Sequence, residues 1–219
     1  MTVLLVLVTF LGFILIDALL NWKRASLPKA AMVEVSDPNV RIIAGFEAPE
    51  DLRYHAGHTW LMHERKNVNR VGADQFAATV LGDIQTVELP KPGHWIRQGQ
   101  KVFSFLKNGE KVDMVSPVEG EVLEVNAEIA ANPALLRSDP YGKGWLVSVF
   151  SPDEEGPSRN LLPKNMVSSW LRDAADRLYA MQPALAGATS ADGGVPVQDA
   201  SAAIGAVPLS RLGKEFFLS

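Results

Sequence analysis

The sequence contains no cysteine, and this absence excludes several kinds of chemistry at once. Without thiols the chain has no disulfide scaffold, thiolate zinc site, cysteine-ligated iron–sulfur cluster or cysteine nucleophile. An excess of positive charge is also lacking, because 21 Lys and Arg stand against 25 Asp and Glu, a formal net charge of −4. We therefore expect no nucleic-acid partner. P-loop, dinucleotide-binding and nucleophile-elbow motifs are missing too, and we expect no enzyme and no catalytic residue.

The longest hydrophobic run lies at the amino terminus, from residue 2 to residue 22, and Asp17 is its only ionisable residue. About 20 residues with a rise of ~1.5 Å each span the ~30 Å hydrocarbon core of a bilayer. No Lys or Arg precedes the run, and the run is longer than the apolar region of a cleaved signal peptide. The pattern predicts a transmembrane anchor at residues 1–22, which contacts the bilayer through residues 2–22.

Basic residues follow this run and none precedes it, the first three being Lys23, Arg24 and Lys29. The positive-inside bias predicts a single-pass protein of the cytoplasmic membrane, with its amino terminus outside and its remaining domains in the cytoplasm. Asp17 lies about one helical turn from the interface, so its carboxylate either reaches the headgroups or contacts a neighbouring membrane helix. Both interpretations stay open.

Proline positions and hydrophobic periodicity divide the rest of the chain into four parts. Residues 23–50 form a connector, and residues 51–150 show short strands separated by Gly, Pro and Asn turns, which indicates an all-β domain. Residues 151–181 contain an amphipathic helix, from about residue 164 onward, that is expected to pack on this domain. Residues 182–219 read as a flexible Ala/Gly/Pro-rich tail.

Within the β domain, six runs have strand character. They are His58–His63, Ile84–Leu89, Lys101–Lys107, Glu110–Val115, Gly120–Val125 and Trp145–Val149. A short helix over residues 73–81 interrupts them, with Asp74 near its start and Gly82 after its end. In the connector, residues 32–35 and 40–43 are β-prone without sustained periodicity.

The tail ends in an apolar segment, LSRLGKEFFLS. Leu209, Leu212, Phe216 and Phe217 stand there at near-helical spacing. This end is either a docking peptide for a partner, with those four residues as its contacts, or a frayed terminus. The pattern does not separate the two interpretations.

Residues 102–126 are the most informative stretch, because Asn108-Gly109 joins two β-type runs there. Asn-Gly tolerates the positive φ angles of a two-residue turn, so a β-hairpin with a solvent-facing tip is predicted. Further motifs stand in order around it: HTW (58–60), VGADQFAATVLGDI (71–84), VELPKPG (87–93), SPVEGEVLEVN (116–126) and NPALLRSDPYGKGWLVSV (132–149). On these motifs, from about Leu52 to Val149, the chain resembles the H protein of the glycine cleavage system.

The resemblance implies a mainly β fold. We expect a lipoyl-domain-like sandwich, or barrel-sandwich hybrid, with an inserted short helix and a C-terminal helix, in addition to the amino-terminal transmembrane helix. It also implies a lysine at the hairpin tip, amide-linked to lipoate, whose dithiolane carries an aminomethyl group between enzymes. That lysine stands seven positions before the serine of the Ser-Pro pair, and seven positions before Ser116 is Gly109. Asp113 matches the family's aspartate without a gap, so the carrier lysine is missing from its expected position.

Lys107 and Lys111 lie two residues to either side of Gly109. A two-residue shift along a strand moves each of them about 7 Å from the tip. They are either solvated cross-strand charges or substitutes for the carrier lysine.

These observations lead to two functional hypotheses. The first is a non-catalytic accessory or scaffold subunit of a multi-subunit membrane complex, respiratory or redox in nature. This subunit has no cofactor, and Asn108 and Gly109 are among its candidate partner contacts on the cytoplasmic side. The alternative is a working lipoyl carrier that uses Lys107 or Lys111.

Three histidines close in sequence, His55, His58 and His63, raise the question of a metal site. Their spacing is not a strong ligand pattern, and no Asp/Glu pairing supports it. His58 and Trp60 match the H-x-W pair of the family instead. We therefore expect no metal.

Overall fold

The structure, a computed structural model, describes residues 39–153, 160–181 and 207–218. The predicted anchor at residues 1–22, with Asp17, and the β-prone residues 32–35 lie outside these ranges. Within the ranges, none of the helices has the length and apolar character that a membrane crossing requires.

Short strands dominate the architecture. The strands are β1 (Val40–Ile43), β2 (Phe46–Pro49), β3 (Arg53–Tyr54), β4 (Thr59–Arg65), β5 (Val68–Ala73), β6 (Thr86–Glu88), β7 (Trp95–Ile96), β8 (Lys101–Lys107), β9 (Glu110–Val115), β10 (Gly120–Val125) and β11 (Trp145–Phe150). The helices are α1 (Gln75–Leu81), α2 (Ala127–Ala131), α3 (Leu135–Ser138), α4 (Val167–Ala180) and α5 (Leu209–Phe216), with one 3₁₀ turn (Lys164–Met166) before α4.

Two antiparallel sheets form the sandwich. The larger sheet has the strand order β3-β4-β5-β11-β10-β7, and the smaller has the order β6-β8-β9. A separate hairpin pairs β1 with β2. Phe103 and Phe105 of β8 and Val122 of β10 are fully or almost fully buried, so one face of each sheet supplies the core. This is the mainly β sandwich with a few helices that the motifs predicted.

The packing of Trp60 determines which residue can stand opposite it in the core. Its side chain is fully buried, and its Nε1 donates hydrogen bonds to the carbonyl oxygens of Ala73, at 2.9 Å, and Pro140, at 3.1 Å. Gly72 is its cross-strand partner, and a Cβ there would lie 2.5 Å from Cε2 of the indole ring. The ring therefore requires a glycine opposite it, which explains the Val-Gly step in the motif at residues 71–84.

Helix α1 ends at Leu81 as predicted but begins at Gln75, two residues later than predicted, because Ala73 belongs to β5. Asp74 caps it, because Oδ1 accepts a hydrogen bond from the backbone N–H of Ala77 at 2.7 Å. Gly82 follows the helix with φ = +65°, a conformation in which glycine has no steric penalty. Helix α4 buries Leu171, Ala174 and Leu178, which lie on the apolar face of its amphipathic pattern.

Candidate functional site

The hairpin of β8 and β9 forms the candidate site, and its turn has the predicted geometry. Asn108 and Gly109 have φ angles of +52° and +81°, as a two-residue hairpin turn with two positive φ values requires. Both residues are exposed. A Cβ added to Gly109 would meet no atom within 4 Å, so the tip is open. The position of the family's lysine is therefore accessible but carries no side chain.

The two neighbouring lysines lie on opposite faces of the hairpin. The turn pairs Lys107 with Glu110 and Leu106 with Lys111, and successive pairs point to opposite sides of a sheet. Lys107 is partly buried, and its Nζ donates to the carbonyl oxygen of Leu81 at the end of α1, at 3.2 Å. Two residues at equal distance from the tip in the sequence thus have unequal surroundings.

Lys111 lies on the exposed face of the hairpin. Its Nζ is 2.8 Å from Oε2 of Glu88 on β6, and the two side chains are about half exposed, at 49% and 53%. The hydrogen bond to Glu88, together with the charges of Glu88 and Asp113, raises the pKa of the Lys111 ammonium above its usual value. Solvent reaches this amine. Because the ion pair with Glu88 is exposed, water readily replaces the carboxylate as the partner of Nζ.

A cavity of about 70 Å³ lies on the opposite face, between the hairpin tip and α5. It is lined by Val80, Lys107, Asn108, Glu110, Val207, Leu209 and Leu212. Lys107 therefore lines a partly open pocket beside α5.

Helix α5, the apolar end of the tail, packs against this side of the domain. The backbone N–H of Leu209 donates to Oε2 of Glu110 at 2.6 Å, and α5 runs along β9. Leu212, Phe216 and Phe217 are buried against the chain's own domain. The frayed-terminus interpretation is therefore excluded for residues 207–218. Contact of these residues, or of Asn108 and Gly109, with a partner stays a prediction.

Beneath α5 lies a buried pair of residues that sequence reasoning missed. Nδ1 of His58 is 2.9 Å from Oδ2 of Asp74, and both side chains are almost fully buried. The imidazole stacks between Phe76 and Trp170, with ring centroids 4.2 and 4.4 Å away. The pair joins the H-x-W motif to the cap of α1. The sixteen-residue separation of His58 and Asp74 gives no local pattern that could have indicated this contact.

The other two histidines of the group do not join it. Nδ1 of His55 accepts a hydrogen bond from the backbone N–H of Gly57 at 3.1 Å, and His63 is exposed. Burial lowers the pKa of His55, and the neighbouring His58 adds to that shift. Across the part of the chain that the structure describes, no three His, Asp or Glu side chains are grouped as metal ligands.

Comparison with known proteins shows which family this domain resembles. A family profile described as "Glycine cleavage H-protein" matches residues 52–173. The glycine cleavage system H protein of Mycobacterium leprae is 40% identical over 108 residues, which cover 49% of this chain and 81% of that protein. That of Alteromonas mediterranea is 39% identical over 105 residues, 48% of this chain and 81% of the relative. A crystal structure of a glycine cleavage system H protein from Mycobacterium marinum covers 57% of this chain and 98% of that one, with 29% identity and a TM-score of 0.48.

These matches correct two predictions. The expectation that the chain has no cofactor is wrong, because its relatives are glycine cleavage H proteins, the family for which the resemblance implies a lipoyl group. That expectation depended on the single position Gly109, whereas the match extends over the whole domain.

The predicted localisation, a single-pass protein of the cytoplasmic membrane, is also wrong, because the relatives are H proteins and not membrane subunits. The predicted membrane-complex partners, and bilayer contact through residues 2–22, find no support in these relatives. Hydrophobicity of one segment was the basis of that prediction, and the segment lies outside the matched domain.

Proposed function

Because the chain belongs to the glycine cleavage H-protein family, we propose that it is a non-catalytic lipoyl carrier with its arm attached to Lys111. The dithiolane of such an arm carries an aminomethyl group between the enzymes of a glycine cleavage system. The hairpin tip, with Asn108 and Gly109, would then be the surface that those enzymes meet.

The exposed amine of Lys111 is the observation that carries this proposal. A modifying enzyme has to bring the activated carboxyl carbon of lipoate to Nζ, and on this face the amine is approached from solvent. Lys107 is less suitable, because its Nζ is held on the carbonyl oxygen of Leu81 and faces the cavity beside α5. The difference between the two faces of the hairpin thus favours Lys111 as the attachment site.

The shift away from the tip is compatible with a swinging arm. Two residues along a strand correspond to about 7 Å, which is shorter than a lysine side chain extended by a lipoyl group. An arm that starts at Lys111 therefore still extends beyond the turn. The glycine at the tip leaves this path open, since no side chain projects from Gly109.

Mass spectrometry of the full chain tests the attachment site. The wild-type chain and the variants Lys111→Arg and Lys107→Arg are produced in cells that contain lipoate and a lipoyl-attaching enzyme, and intact mass and peptide mapping are recorded. We expect one lipoyl group on wild type and on Lys107→Arg, and none on Lys111→Arg. Arginine keeps the positive charge beside Glu88, so a loss of modification in Lys111→Arg does not come from a broken ion pair.

A conventional H protein with a tip lysine, produced in the same cells, is the positive control. Lipoylation of Lys107 in the wild-type chain would show that the arm is attached on the other face of the hairpin and not at Lys111. A wild-type chain without lipoate, beside a fully modified control, would contradict the proposal as a whole.

A further inference from the structure

Helix α5 is an addition to the domain that the family match defines, because the match ends at residue 173 and α5 begins at Leu209. The surface beneath it has a floor of the ring faces of His58 and Phe76 and the side chain of Val80, with Glu110 at one end and Arg177 at the other. We call this surface the aromatic groove. Apart from Arg177, these residues belong to the matched domain, so the groove is a feature of the domain and α5 is its occupant.

The occupant fits the groove through one apolar face. Leu209, Leu212 and Phe216 stand at intervals of three and four residues and are 6%, 1% and 2% exposed. The ring of Phe216 meets Phe76 edge to face, with centroids 5.1 Å apart. The opposite face of α5, which includes Arg211, is exposed. This is the pattern of a helix laid into a groove.

Charges at the two ends of the groove select the direction of the helix. At one end the Glu110 carboxylate accepts the backbone N–H of Leu209, which has no partner within the helix. At the other end Nη1 of Arg177 is 3.0 Å from Oε1 of Glu215, and its guanidinium lies 5.3 Å from the ring centroid of Phe216. A helix in the reverse direction would place its C-terminal carbonyl groups against the Glu110 carboxylate.

The length of α5 indicates that docking maintains it. With 8 residues it is shorter than the roughly 12–15 residues at which isolated helices become marginally stable in water. Residues 181–208, rich in Ala, Gly and Pro, separate it from α4 in the sequence. The helix therefore resembles a peptide ligand joined to its own receptor.

We propose that the aromatic groove is a recognition site for an amphipathic helix of a partner protein, and that α5 occupies it as a tethered competitor. The partner helix has apolar residues at relative positions 1, 4 and 8 and an acidic residue at position 7, and its N terminus points toward Glu110. Glu110 is also the cross-strand neighbour of Lys107 next to the turn, so the groove adjoins the hairpin tip. A partner in the groove would therefore stand next to the carrier site.

A competition experiment with the full chain tests the groove. A fluorescent peptide with the sequence of residues 207–218 is titrated against the wild-type chain and the Phe216→Ala chain, and binding is followed by anisotropy. Wild type should bind the peptide weakly, because a tethered competitor acts at a high effective concentration. Phe216→Ala weakens that competitor, and we expect the peptide to bind at least about tenfold more tightly. Arg211→Ala, on the exposed face of α5, is the matched control and should behave as wild type.

The opposite outcome is equally clear. If the Phe216→Ala chain keeps its near-ultraviolet circular dichroism and still fails to bind the peptide, α5 is a permanent part of the core and the proposal is overturned. If that variant does not fold, hydrogen exchange of the wild-type chain decides. Amides of α5 that exchange at least about tenfold faster than those of α1 support detachment, and equal rates overturn it. A dimer that dissociates on Phe216→Ala would assign the groove to the α5 of a second copy and also overturn the proposal.

Discussion

Gly72, beneath Trp60, and Gly109, at the hairpin tip, represent two regions of the molecule under different constraints. At Gly72 a Cβ would lie 2.5 Å from Cε2 of the buried indole ring, whereas at Gly109 it would meet nothing within 4 Å. Packing therefore fixes the residue in the core, while the tip is restricted only by its backbone angle and by the chemistry it carries. The core can preserve the family's fold while the tip changes, so similarity in the core does not establish which residue bears the arm.

Alanine substitutions at the two glycines should separate the regions most strongly. Gly72→Ala drives a methyl group into the indole ring and should lower the free energy of unfolding by about 3 kcal/mol. Gly109→Ala meets no neighbour and should cost about 1 kcal/mol, the penalty of a positive φ angle. Urea denaturation of both variants measures this difference. Equal losses would mean that the core relaxes around the extra methyl group and that the contrast between core and tip is wrong.

Asp74 tests the polar part of the core. Asp74→Ala removes the acceptor for the backbone N–H of Ala77 and leaves Nδ1 of the buried His58 without its partner. The expected loss in the free energy of unfolding is about 2–3 kcal/mol, the sum of a lost helix cap and an unsatisfied buried nitrogen. Asp74→Asn keeps one oxygen, which can still accept from the backbone N–H of Ala77, while its amide nitrogen faces Nδ1 of His58, and it should lose roughly half as much. A loss in Asp74→Asn equal to that in Asp74→Ala would show that the hydrogen bond to the N–H of Ala77 alone does not stabilise the fold.

Local patterns predicted the elements whose structure is determined locally. β8, β9 and β10 have the predicted boundaries, because alternation of side chains and the Asn108-Gly109 turn specify them within a few residues. Strand β5 was missed: Asn69, Arg70 and Gly72 interrupt its apolar pattern, and it is stabilised by pairing with β4 and β11. β7 was missed because two residues are too short for any periodicity.

Long-range contacts decide the remaining features, and the sequence shows them only in part. The spacing of Leu209, Leu212 and Phe216 indicated a helix, but its docking site depends on Glu110, 99 residues earlier. Likewise, Lys107 and Lys111 are symmetric about the turn in the sequence, and only strand pairing places them on different faces. The distinction between carrier candidates is therefore a property of the folded sheet.

His55 predicts a pH dependence of stability. Burial lowers the pKa of His55 below its ordinary value of 6.5, and its Nδ1 accepts a hydrogen bond, which requires the unprotonated ring. As the pH falls below about 6.5, His55 becomes protonated in the unfolded chain. In the folded chain it stays neutral until the pH reaches its lower pKa. Stability should therefore decrease across this window, from the ordinary pKa down to the folded pKa.

Thermal unfolding at pH 7.5 and pH 5.5 measures the effect of His55. The melting temperature of wild type should fall more between these pH values than that of His55→Gln, which has no group to protonate. His63→Gln replaces an exposed histidine in the same way and is the control for the substitution itself. An unchanged pH dependence in His55→Gln would assign the destabilisation to another group.

Substitution of Glu88 should have the smallest effect on stability, and it tests the chemistry of Lys111 near the hairpin tip directly. Glu88 and Lys111 form an exposed ion pair, and such pairs contribute little to folding, so Glu88→Gln should leave the melting temperature unchanged. The same substitution removes the main cause of the raised pKa of Lys111. At a given pH more of the amine is then neutral and nucleophilic, and attachment of lipoate should be faster than in wild type. The rate of lipoylation by a purified ligase, followed by intact mass across pH 7 to 9, measures this. A slower rate in Glu88→Gln would mean that the carboxylate assists the transfer as a recognition or base element, so that even an exposed residue beside the tip is fixed by chemistry and not by packing.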